Sequence, residues 1–129
     1  MLYAILCYNS EAAIGAWSKQ QHDETMARLH AVNDKLARQG RLGPVARLLP
    51  TIAVITLRKG GENLVIDGPF AETKEQLLGF YIVDCGSLDE AIETAKELAV
   101  ANPATGSYEI RPVAELHDHK LAVERKPAA

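Results

Sequence analysis

A carboxylate placed where a strand meets a turn, and a histidine on the inner face of a helix, are the groups from which this sequence could assemble acid–base chemistry. The carboxylate is Asp67, first in the run Asp67-Gly68-Pro69-Phe70-Ala71-Glu72-Thr73-Lys74-Glu75. The Gly-Pro pair behind it fixes the backbone and ends the strand ladder. An aromatic side chain and several charged or hydroxyl groups follow at once, and so polar a stretch between two apolar strands is where a site can be built. In a site Asp67 would take a proton itself or orient an imidazole. As a plain turn residue it would accept hydrogen bonds from the amides after it. Phe70 suits either a core plug or a platform under a ligand. Glu72, Lys74 and Glu75 suit either a solvated turn or polar contacts to a substrate.

The histidines to set beside Asp67 are His22 and His30. Ser18-Lys19-Gln20-Gln21 has the form of a capping box, which predicts a helix over about 19–39 that Gly40 ends. With Leu29 as reference and about 100° per residue, Leu36, Val32, Met26 and His22 fall within about 60° of it, and His30 lies at the stripe edge near 100°. His22 thus faces the sheet, where a titratable ring needs a partner. That partner is a neighbour within the fold for a structural histidine, and a substrate or Asp67 for a functional one. Tyr8 and Tyr81 sit on strands, where they could wall a pocket. Arg47, on a short edge segment Val45 to Leu49, could reach an anionic group or remain a solvated edge charge. His117-Asp118-His119 alternates like a chelate, yet a polar tail is poor preorganisation and no metal site is expected there. The sequence has no GxGxxG, P-loop, GxSxG or HExxH pattern, so no cofactor is expected.

The elements that must position these groups are readable along the chain. Residues 2–7 are apolar on both pleats, as a central strand covered on each side would be. Gly43-Pro44 should break the chain. Thr51 to Arg58 and Asn63 to Ile66 are β-rich runs separated by Lys59-Gly60-Gly61-Glu62, a strong hairpin signal that delivers Asp67 to a strand end. Leu77 to Cys85 is the next strand, and Ser87-Leu88-Asp89-Glu90 caps a second helix over about 88–101. Tyr108 to Val113 closes the sheet. The order β-α-β-β-β-α-β suits a mainly antiparallel sheet with two helices on one face. Its other face needs a further layer, which a second copy of the chain can supply.

At 129 residues the chain is one domain, with 47% hydrophobic residues. A formal charge of −3 and 5% aromatic residues argue against nucleic acid as a partner. No apolar run reaches the roughly 20 residues a bilayer span needs, so no membrane partner is expected. The first residues carry no leader pattern, which makes the expected location cytoplasmic. Cys7 and Cys85 fall in predicted strands, suiting buried thiols in a reducing compartment.

The run DGPFAETKE closely resembles the DGPF signature of the YCII-related family. The resemblance extends to the opening strand Met1 to Tyr8, to Gln76 to Tyr81 and to Glu109 to Val113. It places residues 1–115 in a YCII-related domain and leaves 116–129 as a polar C-terminal tail. It implies a ferredoxin-like α+β sandwich of the dimeric α/β-barrel type, a homodimer, and a small-molecule ligand whose identity is unknown. Most members have no established reaction. The resemblance suggests a cofactor-independent lyase or isomerase moving protons on a compact, cyclic or aromatic, polar substrate. Asp67 with His22 or His30 would be the acid–base pair, and Phe70, Lys74, Tyr8, Tyr81 and Arg47 would contact substrate. The alternative is a non-catalytic ligand-binding or regulatory dimer in a signalling or stress context, since family members are often encoded beside alternative sigma factors. Where the YCII-type branch carries its pocket histidine this sequence has Leu29, with His30 beside it and His22 two turns earlier on the same face.

Overall fold

The structure, a computed structural model, describes residues 1–103 and 105–119. In chain order the elements are β1 (Leu2–Asn9), α1 (Glu11–Gly15), α2 (Lys19–Arg38), β2 (Leu42–Arg47), a single 3-10 turn (Thr51–Ala53), β3 (Ile55–Arg58), β4 (Leu64–Asp67), β5 (Gln76–Asp84), α3 (Leu88–Ala101) and β6 (Ser107–Pro112). Four strands form an antiparallel sheet in the order β2-β5-β1-β6, while β3 and β4 make a hairpin of their own. With α2 and α3 packed on one sheet face, this is a ferredoxin-like α+β fold carrying an inserted hairpin.

The two long helices begin where their caps demand. Ser18 Oγ accepts from the Gln21 amide at 3.1 Å and Gln21 Oε1 accepts from the Ser18 amide at 2.9 Å, so two end donors are satisfied reciprocally. Ser87 Oγ does the same for Glu90 N at 3.2 Å, and the Glu90 carboxylate accepts from Gly86 N. Between helices and sheet lies the core. Tyr3 and Ile5 of β1 and Val83 of β5, with Cys85 just beyond it, meet Leu29 and Leu36 of α2 and Ala91, Ala95 and Leu98 of α3. Ile5, Leu36, Val83 and Leu98 are fully buried, each worth about 1.5–3 kcal/mol by transfer from water. Arg41 staples β5 to α3: its guanidinium donates to Thr94 Oγ1 at 2.7 Å and pairs with Glu90 at 3.1 Å. Cys7 and Cys85 are both free thiols. Among the described residues no helix is long and apolar enough to cross a membrane.

Three sequence expectations are corrected. Gly43-Pro44 does not break the chain but lies inside β2, where a register shift between Leu42 and Val45 absorbs it. Proline is tolerated because β2 is an edge strand with one free hydrogen-bonding side. The run from Thr51 is not strand throughout, since Thr51–Ala53 turns first and β3 starts at Ile55. A short helix, α1, occupies the stretch after β1, capped by Ser10 accepting from Ala13 N. Of the expected tail, residues 120–129 lie outside the described residues.

Candidate ligand cavity between helices and sheet

A cavity of about 910 Å³ opens between the helices and the sheet. Its existence follows from residue size. Leu36 and Leu98 fill the core, whereas the α3 wall of the cavity includes the small Ala95 and Ala99 beside Ile92 and Lys96, and α2 contributes Thr25, Met26 and Asn33. Cys7, Tyr81, Tyr108 and Ile110 project from the helix-facing pleat of β1, β5 and β6 to form the floor. Glu11, Ile14 and Trp17 from α1 and the segment after it close one side, and Arg47 of β2 stands exposed at the rim. A side chain at Gly79, opposite Arg47 in the register, would run into the Ala46 carbonyl, so close approach of β2 and β5 requires glycine there.

Both helix histidines border this cavity, His22 half-buried and His30 exposed. Tyr81 and Arg47 border it as well. Tyr8 does too, although pleat alternation turns its side chain to the opposite sheet face from Cys7. Asp67, Phe70 and Lys74 are not among the lining residues; all three are exposed on or just after the hairpin, Phe70 by 79%. The Asp67 carboxylate accepts no hydrogen bond among the described residues. Its turn is held by Gly68 instead, at φ 96°, whose N–H donates to Val54 O at 2.8 Å and whose carbonyl accepts from Thr56 Oγ1 at 2.8 Å. Within one chain, therefore, the geometry does not bring Asp67 to either histidine.

The later part of the same run has a structural task. Ser107 Oγ donates to Glu75 at 2.7 Å, Gln76 Nε2 donates to Thr73 O at 2.7 Å, and Gln76 Oε1 accepts from Glu11 N at 3.0 Å. The Glu11 carboxylate accepts from Thr51 N at 2.8 Å and from the Thr51 hydroxyl. These bonds tie the end of the hairpin to α1 and β6, both of which border the cavity.

Electrostatically the floor is held neutral. Burial pushes the Cys7 thiol up to about 12 and the Tyr108 phenol up to about 12, with the charge of Cys7 adding to the latter and the Asn102 amide opposing it. Tyr81 is raised further by burial, then by Cys7 and Tyr108. Cys7 is consequently a protonated thiol and no nucleophile at neutral pH. The two buried side-chain oxygens without a partner among the described residues, Asn33 Oδ1 and Asn102 Oδ1, both belong to lining residues. Leaving such an acceptor unpaired costs about 1–3 kcal/mol. Sequence reasoning missed Cys7, Trp17, Asn33, Asn102 and Tyr108 as site residues. For Asn33 a signal existed: a polar amide four residues after Leu29, on an inner helix stripe that is apolar at Met26, Leu29, Val32 and Leu36. In the tail, His117 Nε2 lies 3.0 Å from Glu115 and its ring stacks on that of His119, and no grouping of three metal-ligating side chains occurs among the described residues.

Residues 1–117, which carry this fold and the Asp67 turn, match the family model of the YCII-related domain. The chain belongs to the YCII-related family. It is similar to an uncharacterized protein of Rhizobium meliloti (strain 1021), 61% identical over 115 residues that span 88% of this chain and 93% of that protein.

Proposed function

We propose that this protein binds a small organic molecule in the helix–sheet cavity, acting in recognition or regulation rather than through an Asp67–histidine dyad. The observation that carries this reading is the cavity itself, whose volume lies in the range of about 300–1,000 Å³ usual for ligand pockets. Its walls combine apolar surface with polar groups the fold does not use. The catalytic inventory is thin by comparison: the thiol and phenols are neutral, Glu11 is engaged by Thr51, and Asp67 lies elsewhere.

A second reading is favoured by the placement of His22 and His30 on the same cavity. In it the protein is a cofactor-independent lyase or isomerase, with a histidine carrying the proton and a Tyr81 or Tyr108 hydroxyl as hydrogen-bond donor. Screening a metabolite library by thermal shift, with product analysis of every hit, separates the two. Saturable binding without turnover, lost in Ala99→Trp, is the expected result. Turnover abolished in His22→Asn or His30→Asn with binding retained would replace it by the second reading, and a library without any binder would refute both.

The same proposal includes a homodimer packed through the sheet face opposite the helices. Leu2, Ala4, Leu6 and Phe80 lie on that pleat, and each is half-buried in the single chain. Light scattering is expected to give twice the 14.0 kDa chain mass.

A further inference from the structure

We infer that the cavity takes a flat organic carboxylate whose charge is anchored by Arg47; this rests on reading the cavity as a ligand site. The first support is a local reversal of charge. The chain has 17 Asp and Glu against 14 Lys and Arg, yet one carboxylate, that of Glu11, lines the cavity. Both of its oxygens are occupied by Thr51. Of the two Lys and Arg side chains there, Lys96 is engaged by Glu93 at 3.1 Å. Arg47 forms no ion pair among the described residues; its Nη1 rests 3.8 Å from the Met26 sulfur, on the cavity side of β2. Arg47 is thus the Lys or Arg lining the cavity that has no ion-pair partner among the described residues, with the imidazoles of His22 and His30 on the same cavity. A guanidinium fork matches a carboxylate with two parallel N–H donors, which gives direction as well as attraction.

The second support is the shape and chemistry of the interior. The only tryptophan, Trp17, and the tyrosines Tyr81 and Tyr108 border the space, and Ala95 and Ala99 keep the α3 side shallow. Aromatic side chains facing small residues accommodate a ring by offset or edge contacts. The neutral phenols of Tyr81 and Tyr108 can donate or accept at ring substituents. A doubly charged head group would meet one unpaired guanidinium among the described residues and a neutral floor, and the fork of Arg47 matches a carboxylate's two oxygens, which sets a carboxylate above a phosphate ester.

The experiment is calorimetric titration with para-hydroxybenzoate, para-hydroxybenzamide and phenyl phosphate on the full chain and on Arg47→Gln, Arg47→Lys and Ala99→Trp. The carboxylate is expected to bind at least about tenfold more tightly than the amide. Arg47→Gln should erase that difference, Arg47→Lys should restore part of it, and Ala99→Trp should remove binding of both. Equal affinities for acid and amide, both lost in Ala99→Trp, would overturn the charge assignment and leave the cavity reading standing. Tighter binding of phenyl phosphate, or no binding of any of the three, would overturn the ligand class. Binding that survives Ala99→Trp would overturn the inference together with the reading beneath it.

Discussion

Replacing Glu11 with alanine should loosen one side of the cavity while leaving the core intact. Helix α1 buries no residue of its own, so hydrogen bonds hold it in place. The Glu11 carboxylate takes the Thr51 amide at 2.8 Å and the Thr51 hydroxyl. A hydrogen bond to a charged acceptor contributes about 1.5–3 kcal/mol when well shielded. Glu11 is only half-buried, so about 2 kcal/mol for the two together is the appropriate scale. That amounts to roughly a thirtyfold rise in local opening. The assay is hydrogen exchange at the Thr51 amide, whose one partner here is the removed carboxylate. In Glu11→Ala this amide is expected to exchange about thirtyfold faster, with amides of β1 and β5 unchanged and the urea midpoint little moved. Thr51→Val, which keeps the amide and loses the hydroxyl, should show about half the effect in free energy. An unchanged Thr51 exchange rate would refute the latch. Loss of global stability matching the local loss would show instead that α1 belongs to the cooperative core.

Two other outcomes are expected. Asp67→Asn should change stability by no more than about 0.5 kcal/mol in urea unfolding, because the carboxylate is exposed and bonded to nothing among the described residues; a loss above about 1 kcal/mol would show that the carboxylate holds its turn after all. For Cys7, the native thiol is raised to about 12 from an ordinary 9.0, so between those values the unfolded chain has released a proton that the native chain keeps. Stability is therefore unaffected by this group below about pH 8 and falls as pH rises from about 9, by at most about 1.4 kcal/mol per pH unit. Tyr108 adds to the fall above about pH 10. Cys7→Ala should flatten the first part of the decline, and an identical decline in the variant would refute the assignment.

The parts of the fold legible in the sequence are those fixed by local chemistry. Ser18 with Gln21 and Ser87 with Glu90 start the helices where expected, and the paired glycines at 60 and 61 lie between the hairpin strands. The angular position of His22 on its helix sufficed to aim it toward the sheet side, and the structure has it on the cavity wall. What escaped is what depends on distance between layers. Ala95 and Ala99 lie in the helix expected over about 88–101 with nothing to set them apart, and only the spacing of α3 above the sheet turns their small size into empty volume. Cys7 and Tyr108 read as strand residues for the same reason. Where Asp67 points was equally out of reach, since a hairpin's own residues define its turn but not the surface it approaches. Pro44 was read as a breaker because edge position is a property of the assembled sheet.

The independence of the β3–β4 hairpin from the main sheet makes it a removable module. Beyond the Gly68–Val54 and Thr56–Gly68 bonds inside the loop, none of its ladder is shared with β2 or β5. Its length and sequence can vary without disturbing a single core contact, and a foreign segment can be spliced there at low cost to folding. The architecture thus separates two kinds of change: alterations to helix and sheet residues, or to the Thr51 and Glu75 bonds that flank the hairpin, reshape the cavity, whereas alterations within β3–β4 itself give the same body a different arm with which to meet its surroundings.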